Sequence, residues 1–456
     1  MKKNTLQKAA EVPASLVERG VEDLKKLESE LLSKKPLKAA EDYWHTLGPG
    51  LTTGASDDDP SGIATYSQAG ARYGFQLSWL ALFTFPLMGV VQEMCARIGL
   101  VTGRGLAANI RIFYSKKVLY AAATFLFVAN TFNIGADLGA MAQAAQLLAP
   151  EVNFYVFLIG FALISVLLQI FTTYARYARY LKYLALVLFS YMLSALSVRL
   201  DWHALLTATI VPSIEFSREQ ILLLCAILGT TISPYLFFWQ TSQEVEEEIL
   251  KGEKTIAARQ RSVTPKEISR MRTDVWSGMF ISNLVMFFII AACAATLFAS
   301  GVTNIETAAD AAAALKPIAG NAAYWFFALG IIGTGMLAIP VLAGASSYAL
   351  AESFGWRQGL YRTLDQAKAF YGVIIIAMVL GVLMNMTGID PVKALIYSAV
   401  LNGVIAAPIL ALIVRLSSSK RVMGDYKNAR WRTAVGWLTV ALMAVSGIAA
   451  LATLVI

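Results

Sequence analysis

Apolar residues recur along this chain in stretches long enough to cross a lipid bilayer. A transmembrane helix needs about 20 consecutive, mostly apolar residues, and eleven stretches of this kind are separated by short polar segments. They lie at about residues 44–69, 76–101, 117–149, 153–174, 181–200, 219–243, 274–300, 322–350, 369–388, 391–415 and 432–455. The pattern predicts an all-helical, multi-pass membrane protein with about eleven transmembrane helices, numbered here as spans one to eleven.

Two of these spans are interrupted midway by polar segments that contain proline. Residues 57–62 read Asp-Asp-Asp-Pro-Ser-Gly in span one, and residues 229–235 read Gly-Thr-Thr-Ile-Ser-Pro-Tyr in span six. Because proline lacks a backbone donor and frees the carbonyl four residues earlier, each segment predicts a broken helix. Bare backbone groups at membrane depth are tolerated where they line a cavity, and two such breaks indicate the central site of a transporter. Three adjacent carboxylates favour a cation as the cargo.

The composition narrows the class of protein. Of the 456 residues, 57% are hydrophobic and 15% are charged, whereas soluble domains carry about 25% charged residues. The chain has two histidines, His45 and His203, which argues against a zinc enzyme or a histidine-based acid–base site. Cys95, Cys225 and Cys293 lie far apart in apolar stretches and are predicted to be small buried side chains. We therefore expect no enzyme activity and no bound cofactor.

The basic residues predict the orientation of the chain in the membrane. With a cytosolic amino terminus, 32 Lys and Arg residues lie on the inside and five on the outside, which matches the positive-inside rule. The net charge of +8 is then a topology signal, so neither a nucleic-acid partner nor a soluble location is needed to explain it. We expect a cell-membrane protein, with the basic 244–273 loop solvated in the cytosol. The sequence carries no signal for an oligomeric state.

The order of the spans predicts the domain organisation. Residues 1–43 read as a cytosolic amphipathic segment, begun near Pro13 and stopped near Pro36, with no cleavable signal peptide. Residues 44–455 form the transporter domain. Spans one and six are five spans apart and run in opposite directions, which is the arrangement of leucine-transporter-like folds with a 5+5 inverted repeat. The repeats cover about residues 44–200 and 219–415, and an extra helix covers 432–455.

Several motifs around the first break resemble those of the Nramp family of divalent metal transporters. Gly-Pro-Gly-Leu at 48–51, Asp-Pro at 59–60, Ala-Thr at 64–65 and Gln-Ala-Gly at 68–70 are similar to the family's first-span signature. Ala-Arg-Ile-Gly-Leu-Val-Thr-Gly at 96–103 is similar to the end of its second span, and Lys-Arg-Val-Met-Gly at 420–424 to the loop after its tenth. The resemblance covers about residues 44–430 and implies that a divalent metal ion is the transported substrate.

The chain departs from the family's pattern at the metal site. The family's first-span motif is Asp-Pro-Gly-Asn, in which Asp and Asn bind the metal, whereas here Gly62 occupies the Asn position. The family's sixth-span motif is Met-Pro-His, which supplies a thioether ligand and a histidine tied to proton transport. Ser233 and Tyr235 occupy those two positions here. The exchange leaves a roomier environment of oxygen atoms.

The replacement of the thioether by a hydroxyl favours Mg²⁺ over soft and borderline metals as the substrate. A thioether selects soft and borderline metals, whereas Mg²⁺ takes oxygen ligands, dehydrates reluctantly and is held through its own waters. The sequence therefore resembles the Nramp-related magnesium transporter branch, which implies uptake of a largely hydrated Mg²⁺ by alternating access without obligatory proton coupling. A proton-coupled Mn²⁺ or Fe²⁺ symporter is the alternative, and a symporter for an organic amine is a further one.

The candidate site residues fall into two groups. Asp59 carries the main metal-binding prediction, with a helix cap as its alternative role, and for the hydroxyl groups the alternative is bonding to freed helix carbonyls. The candidate metal residues are Asp59, Asp58, Gly62, Thr230 and Ser233. A second group is placed on an ion or proton path; these residues are Asp137, which the resemblance aligns with a third-span carboxylate, Tyr235 and Asn402. Their alternative roles are pairing with a basic group for Asp137, packing for Tyr235, which is favoured, and an interhelical hydrogen bond for Asn402.

Four further polar residues have structural interpretations. Asp57 is predicted to cap a helix or line a vestibule. Gln92 and Glu93 of span two are predicted to form hydrogen bonds between helices. Arg97, near the cytosolic edge, is interpreted as a side chain that snorkels to the interface.

Overall fold

The computed structural model describes residues 47–172, 176, 189–196, 200–305 and 323–455. Within these ranges the chain forms helices and short connections, with no β-strand. The predicted amphipathic segment at 1–43, His45, and residues 181–188 and 197–199 of span five lie outside the described residues.

Seventeen α-helices are described in those ranges; most of them coincide with the predicted spans, and α4, α8, α11 and α16 lie between spans. In chain order they are α1 Pro49–Asp57, α2 Pro60–Tyr73, α3 Trp79–Thr102, α4 Leu106–Phe113, α5 Lys116–Leu148, α6 Phe154–Phe171, α7 Phe189–Leu196, α8 Trp202–Ile210, α9 Arg218–Thr231, α10 Pro234–Leu250, α11 Ile256–Ser262, α12 Pro265–Thr296, α13 Ala323–Phe354, α14 Lys368–Met384, α15 Pro391–Ser418, α16 Lys420–Met423 and α17 Arg430–Val455.

Nine of the described helical segments are long and apolar enough to cross a membrane. They correspond to spans two to four and six to eleven. Span one is divided into α1 and α2, each shorter than a membrane crossing, and only part of span five is described. The three cysteines are buried and form no disulfide, which confirms their interpretation as small buried side chains.

Both predicted helix breaks are present. Helix α1 ends at Asp57, and α2 begins at Pro60 after the extended residue Asp59, whose φ and ψ are −67° and 172°. Helix α9 ends at Thr231, and α10 begins at Pro234 after Ser233, with φ −81° and ψ 137°. Each proline occupies the first helical position, where its missing N–H costs nothing and its fixed φ starts a new helix.

Close packing against α12 holds the first broken helix in place. The backbones of Gly54 and Gly278 approach so closely that a Cβ on either residue would overlap the other helix. The Asp274 carboxylate accepts hydrogen bonds from the backbone N–H groups of Gly50, at 2.7 Å, and Leu51, at 3.1 Å. A negative charge at a helix N-terminus is favourable, so Asp274 fixes the start of α1.

The second break lies beside the first. Helix α2 packs on α9, α12 and α15, while α5 packs on α13, α14 and α15. The two breaks are thereby enclosed between α12 on one side and the long helices α5 and α15 on the other. Gly229 and Gly403 let α9 and α15 approach with their backbones nearly in contact.

The prediction that the 244–273 loop is solvated is correct for most of residues 251–273, which are exposed or half-buried, and wrong for the start of the segment and for Arg259. Helix α10 continues to Leu250, and Glu246, Glu248 and Arg259 are 2%, 1% and 7% exposed. Glu246 accepts hydrogen bonds from the Tyr348 hydroxyl and from the backbone N–H of Leu360, at 2.5 and 2.9 Å. Burial lowers the pKa of Arg259. Through these buried side chains, the segment contacts the ends of α3 and α13 and the loop after α13.

Candidate metal site at the two helix breaks

Asp59 lies between the two broken helices, 1% exposed. Its Oδ1 accepts hydrogen bonds from the Gly62 backbone N–H, at 2.7 Å, and from the Ser61 hydroxyl, at 2.6 Å. Its Oδ2 accepts one from Asn133 Nδ2, at 2.9 Å. Asp59 is therefore the N-cap of α2, as its alternative role requires, and its second oxygen is directed toward α5.

Asn133 connects the break to α5 and α15, and sequence reasoning missed it. Its Nδ2 donates to Asp59 Oδ2 and, at 3.0 Å, to Asp137 Oδ2, while its Oδ1 accepts a hydrogen bond from Asn402 Nδ2, at 3.2 Å. Asn133 and Asp137 are four residues apart on one helix face. This spacing is the feature of the sequence from which Asn133 could have been predicted. The contacts bring the predicted path residues Asp137 and Asn402 to the same place as Asp59.

Four buried carboxylates at this place lack an ion-pair partner among the described residues. Both oxygens of Asp58, and one oxygen each of Asp57 and Asp137, also lack a hydrogen-bond partner there. The other oxygen of Asp57 accepts a hydrogen bond from the Ser282 hydroxyl, at 2.6 Å. Leaving charges buried and unpaired costs several kcal/mol, so this geometry calls for a cation or for bound protons.

The hydroxyl groups of the second break are directed to backbone carbonyls. Ser233 Oγ lies 2.6 Å from the carbonyl oxygen of Gly229 and 2.7 Å from that of Thr230, to which it donates. Thr230 Oγ1 lies 3.4 Å from Ser61 Oγ. Satisfying freed carbonyls is the alternative role for these hydroxyls. An ion at this place would meet them as oxygen atoms whose lone pairs are still available.

Tyr235 joins one break to the other. Its hydroxyl donates to the carbonyl oxygen of Ser56, at 2.7 Å, in the last turn of α1. A parallel contact joins the Tyr66 and Thr231 hydroxyls at 3.1 Å. Tyr235 therefore fixes the geometry of the two half-helices and is fully buried.

Gly62 leaves a narrow space between the two breaks. A Cβ on this residue would lie 3.2 Å from the carbonyl oxygen of Asp57 and 3.2 Å from Thr230 Oγ1. The missing side chain thus faces oxygen atoms from both broken helices. Within the described ranges, no three His, Cys, Asp or Glu side chains converge closely enough to hold a metal ion.

The site is closed to solvent. Asp57, Asp58, Asp59, Ser233 and Tyr235 are each at most 1% exposed. Access from either side of the membrane therefore requires the helices around the breaks to move.

Of the predictions for the polar residues of span two, the structure confirms the one for Glu93 and contradicts those for Gln92 and Arg97. Glu93 bonds to other helices as predicted, through Arg272 and Trp276 of α12. Gln92 has no hydrogen-bond partner among the described residues, so its predicted interhelical bond is not formed. The snorkelling interpretation of Arg97 was wrong, because the side chain is 3% exposed and pairs with Glu93.

The family model described as "Natural resistance-associated macrophage protein-like" matches residues 50–453. The chain belongs to the Nramp family. This confirms the resemblance read from the motifs, and Nramp proteins are transporters rather than enzymes.

Curated relatives of this Nramp chain carry a consistent name. A Klebsiella pneumoniae protein named divalent metal cation transporter MntH is 24% identical over 413 residues, which are 87% of this chain and 91% of that protein. A protein of the same name in Aeromonas hydrophila is 27% identical over 413 residues, covering 87% of this chain and 93% of that protein.

Solved structures with the same fold are also found. A manganese transporter of Eremococcus coleocola, in complex with an aromatic bis-isothiourea substituted compound, has a TM-score of 0.69 at 17% identity, over 90% of this chain and 86% of that one. Mhp1, a nucleobase-cation-symport-1 family transporter, has a TM-score of 0.55 at 16% identity, over 89% and 90%. These similarities confirm the predicted all-helical, leucine-transporter-like fold of this Nramp protein.

Proposed function

We propose that this chain, a divalent metal cation transporter of the Nramp type, takes up Mg²⁺ as a largely hydrated ion. The observation that carries the proposal is the oxygen-only chemistry at the motif positions of the two breaks. Ser233 stands at the family's thioether position with its hydroxyl beside two carbonyls, and Gly62 stands at the family's Asn position, facing the Asp57 carbonyl oxygen and Thr230 Oγ1. Mg²⁺ is usually held by one or two carboxylates and several retained waters.

The charges at the first break supply the attraction for the ion. Among the described residues, Asp58 has two buried oxygens without hydrogen-bond partners, and Asp59 Oδ2 accepts a hydrogen bond from Asn133. Waters of the ion would donate to these oxygens and to Thr230 and Ser233. The same carboxylates would bind a bare transition metal less well than a site that also holds a thioether.

Asn133 would couple ion binding to movement. It links Asp59 of α2 to Asp137 of α5 and Asn402 of α15. Helices α1, α2, α3, α9, α10 and α12 would move together against the remaining helices. An ion that takes over Asp59 Oδ2 would release it from Asn133, and so loosen the two groups of helices from each other.

The membrane potential would drive uptake. It is worth about 2.3 kcal/mol per charge per 100 mV, and about twice that for a divalent ion. This direction requires the cell membrane, whose inside is negative. The basic-residue distribution predicts that the amino terminus lies on that side.

Mg²⁺ influx is expected without proton influx. Tyr235 replaces the family's histidine, and its hydroxyl donates to the Ser56 carbonyl. Tyrosine side chains, whose ordinary pKa is about 10, do not exchange a proton near neutral pH. The experiment uses proteoliposomes with an entrapped pH reporter and an entrapped Mg²⁺ reporter, under an imposed membrane potential. A Mg²⁺ signal with a flat pH signal supports the proposal, and acidification in step with Mg²⁺ entry refutes it.

The second candidate is a proton-coupled Mn²⁺ or Fe²⁺ symporter. The names of the curated relatives and of the Eremococcus coleocola manganese transporter favour it. Such a transporter would keep the fold and bind the metal at the two breaks with other ligands in place of the thioether. The two candidates differ in whether Mn²⁺ is strongly preferred to Mg²⁺ in uptake.

A further inference from the structure

Three arginines from three different helices converge on one buried glutamate. Glu93 Oε1 pairs with Arg97 of α3, lies 3.1 Å from Arg272 Nε of α12 and 3.3 Å from Arg432 Nε of α17. Glu93 Oε2 accepts a hydrogen bond from Trp276 Nε1, at 2.9 Å. Glu93 itself is 0% exposed. We call these four charged residues the Glu93 cluster.

The Glu93 cluster carries more positive charge than its glutamate can balance. Three guanidinium groups face one carboxylate, which leaves a net charge of +2. Arg97 and Arg432 are only 3% and 15% exposed, and charge removed from water without a partner is costly, so the excess favours a bound anion. Arg97 Nε and Arg432 Nε are buried and donate no hydrogen bond to a described residue.

The position of the cluster restricts the source of that anion. It lies toward the C-terminal end of α3 and the N-terminal ends of α12 and α17, the side that the basic-residue distribution predicts to be cytosolic. Arg432 is in the first turn of α17, where the helix dipole also favours an anion. The neighbouring Trp431 is 52% exposed and its ring stacks 4.7 Å from the Arg432 guanidinium, as expected for an aromatic side chain at a membrane interface.

We propose that the Glu93 cluster binds a phosphate group. Arginine forks match phosphate oxygens in geometry and charge, and basic pockets between transmembrane helices on the cytosolic side bind anionic lipid headgroups. Side chains of Arg272 and Arg432 are 42% and 15% exposed, so they can be reached from outside the bundle. A bound phosphate would join α12 to α17, a helix outside the predicted repeat. The proposal does not depend on which metal ion is transported.

Binding is tested with the full chain in nanodiscs of two compositions. One contains phosphatidylcholine alone, and the other contains phosphatidylcholine mixed with phosphatidylglycerol. The readouts are the lipids retained in native mass spectrometry and the thermal unfolding midpoint, with and without added inorganic phosphate. Retained phosphatidylglycerol identifies a lipid headgroup as the source. A rise in midpoint with inorganic phosphate in pure phosphatidylcholine identifies free phosphate.

Variants test whether the arginines of the Glu93 cluster bind the phosphate. Arg432→Gln should lose the retained lipid or the phosphate-induced rise, whereas Arg430→Gln, which removes the same charge from an exposed position two residues away, should keep it. Glu93→Gln raises the net charge of the cluster and should bind phosphate more tightly. This direction is opposite to the effect of simple damage to the structure.

The proposal is overturned if wild type shows neither response, or if the response survives in Arg432→Gln. If that variant does not fold, Arg432→Lys is used, because it keeps the charge beside Glu93 but loses the guanidinium fork. It should bind phosphate more weakly than wild type. Because Glu93→Gln should bind phosphate more tightly than wild type, equal phosphate binding by Arg432→Lys and Glu93→Gln would also overturn the proposal.

Discussion

Asp59→Asn is expected to fold normally and to lose Mg²⁺ uptake. The new side chain keeps an oxygen that can accept the hydrogen bond from the Gly62 N–H at 2.7 Å, and Asn is as good an N-cap as Asp. What it removes is the negative charge between the breaks, together with the second oxygen that accepts a hydrogen bond from Asn133 Nδ2. Losing one partner of a buried charge pair costs about 3–5 kcal/mol, and each 1.4 kcal/mol is about tenfold in affinity. The Mg²⁺ concentration for half-maximal uptake should therefore rise by more than about 100-fold in a liposome assay.

Two controls separate the charge from the helix cap. Asp59→Ala removes both, and should add about 1 kcal/mol of destabilisation to the loss of uptake. Asp390→Ala removes a comparable cap, since Asp390 precedes Pro391 and accepts a hydrogen bond from the Val392 N–H at 2.9 Å, but it lies at the start of α15. Its uptake should be unchanged. Normal Mg²⁺ uptake by Asp59→Asn would remove this carboxylate from the transport site.

Ser233→Met is expected to shift the substrate preference toward Mn²⁺ and Cd²⁺. It returns a thioether to the position where the family carries one, and sulfur ligands favour soft and borderline ions over Mg²⁺. A gain of about 1.4 kcal/mol would lower the Mn²⁺ concentration that half-inhibits Mg²⁺ uptake about tenfold. The loss of the Ser233 hydrogen bonds to Gly229 and Thr230 costs about 1 kcal/mol of stability. Competitive uptake in liposomes and thermal unfolding measure both effects.

Ser233→Leu is the matched control for the sulfur atom. It loses the same hydroxyl and adds a side chain of similar volume, so both variants should lose similar stability. Only Ser233→Met should gain affinity for Mn²⁺. Equal Mn²⁺ inhibition of the two variants would show that volume rather than sulfur determines selectivity at this position.

Much of the fold could be predicted because the membrane leaves few options. Apolar length fixed the spans within a few residues, and Pro60 and Pro234 marked the breaks because their rings start new helices. The start of the 244–273 segment was mispredicted because its charge count suggests solvation. Its glutamates are instead buried by partners that are distant in sequence, such as Tyr348 and Leu360. Such partners cannot be predicted from the composition of the segment.

The site could be predicted only in part. The residues of the two motifs do come together, as the contacts of Ser61 with Thr230 and of Tyr235 with Ser56 show. Asn133 escaped notice because a neutral amide in an apolar span gives no charge signal, although it stands one turn from Asp137. The pairing of Glu93 with Arg97 was readable from their spacing of four residues. Their contacts with Arg272 and Arg432 depend on the packing of three helices.

The contacts at the breaks also indicate how the protein holds its charges before an ion arrives. Asn133, Ser61 and Ser282 donate to Asp59 and Asp57, whereas Asp58 has no donor among the described residues. Asp58 is therefore the carboxylate that gains most from a cation. A hydrated ion could reach it without displacing the cap of α2.

Competitive uptake by the wild-type protein tests the central claim most directly. Proteoliposomes with an entrapped Mg²⁺ reporter would be given Mg²⁺ alone and Mg²⁺ with increasing Mn²⁺. The account predicts saturable Mg²⁺ uptake that Mn²⁺ inhibits only at concentrations comparable to that of Mg²⁺. Mn²⁺ uptake that excludes a large excess of Mg²⁺ would contradict it.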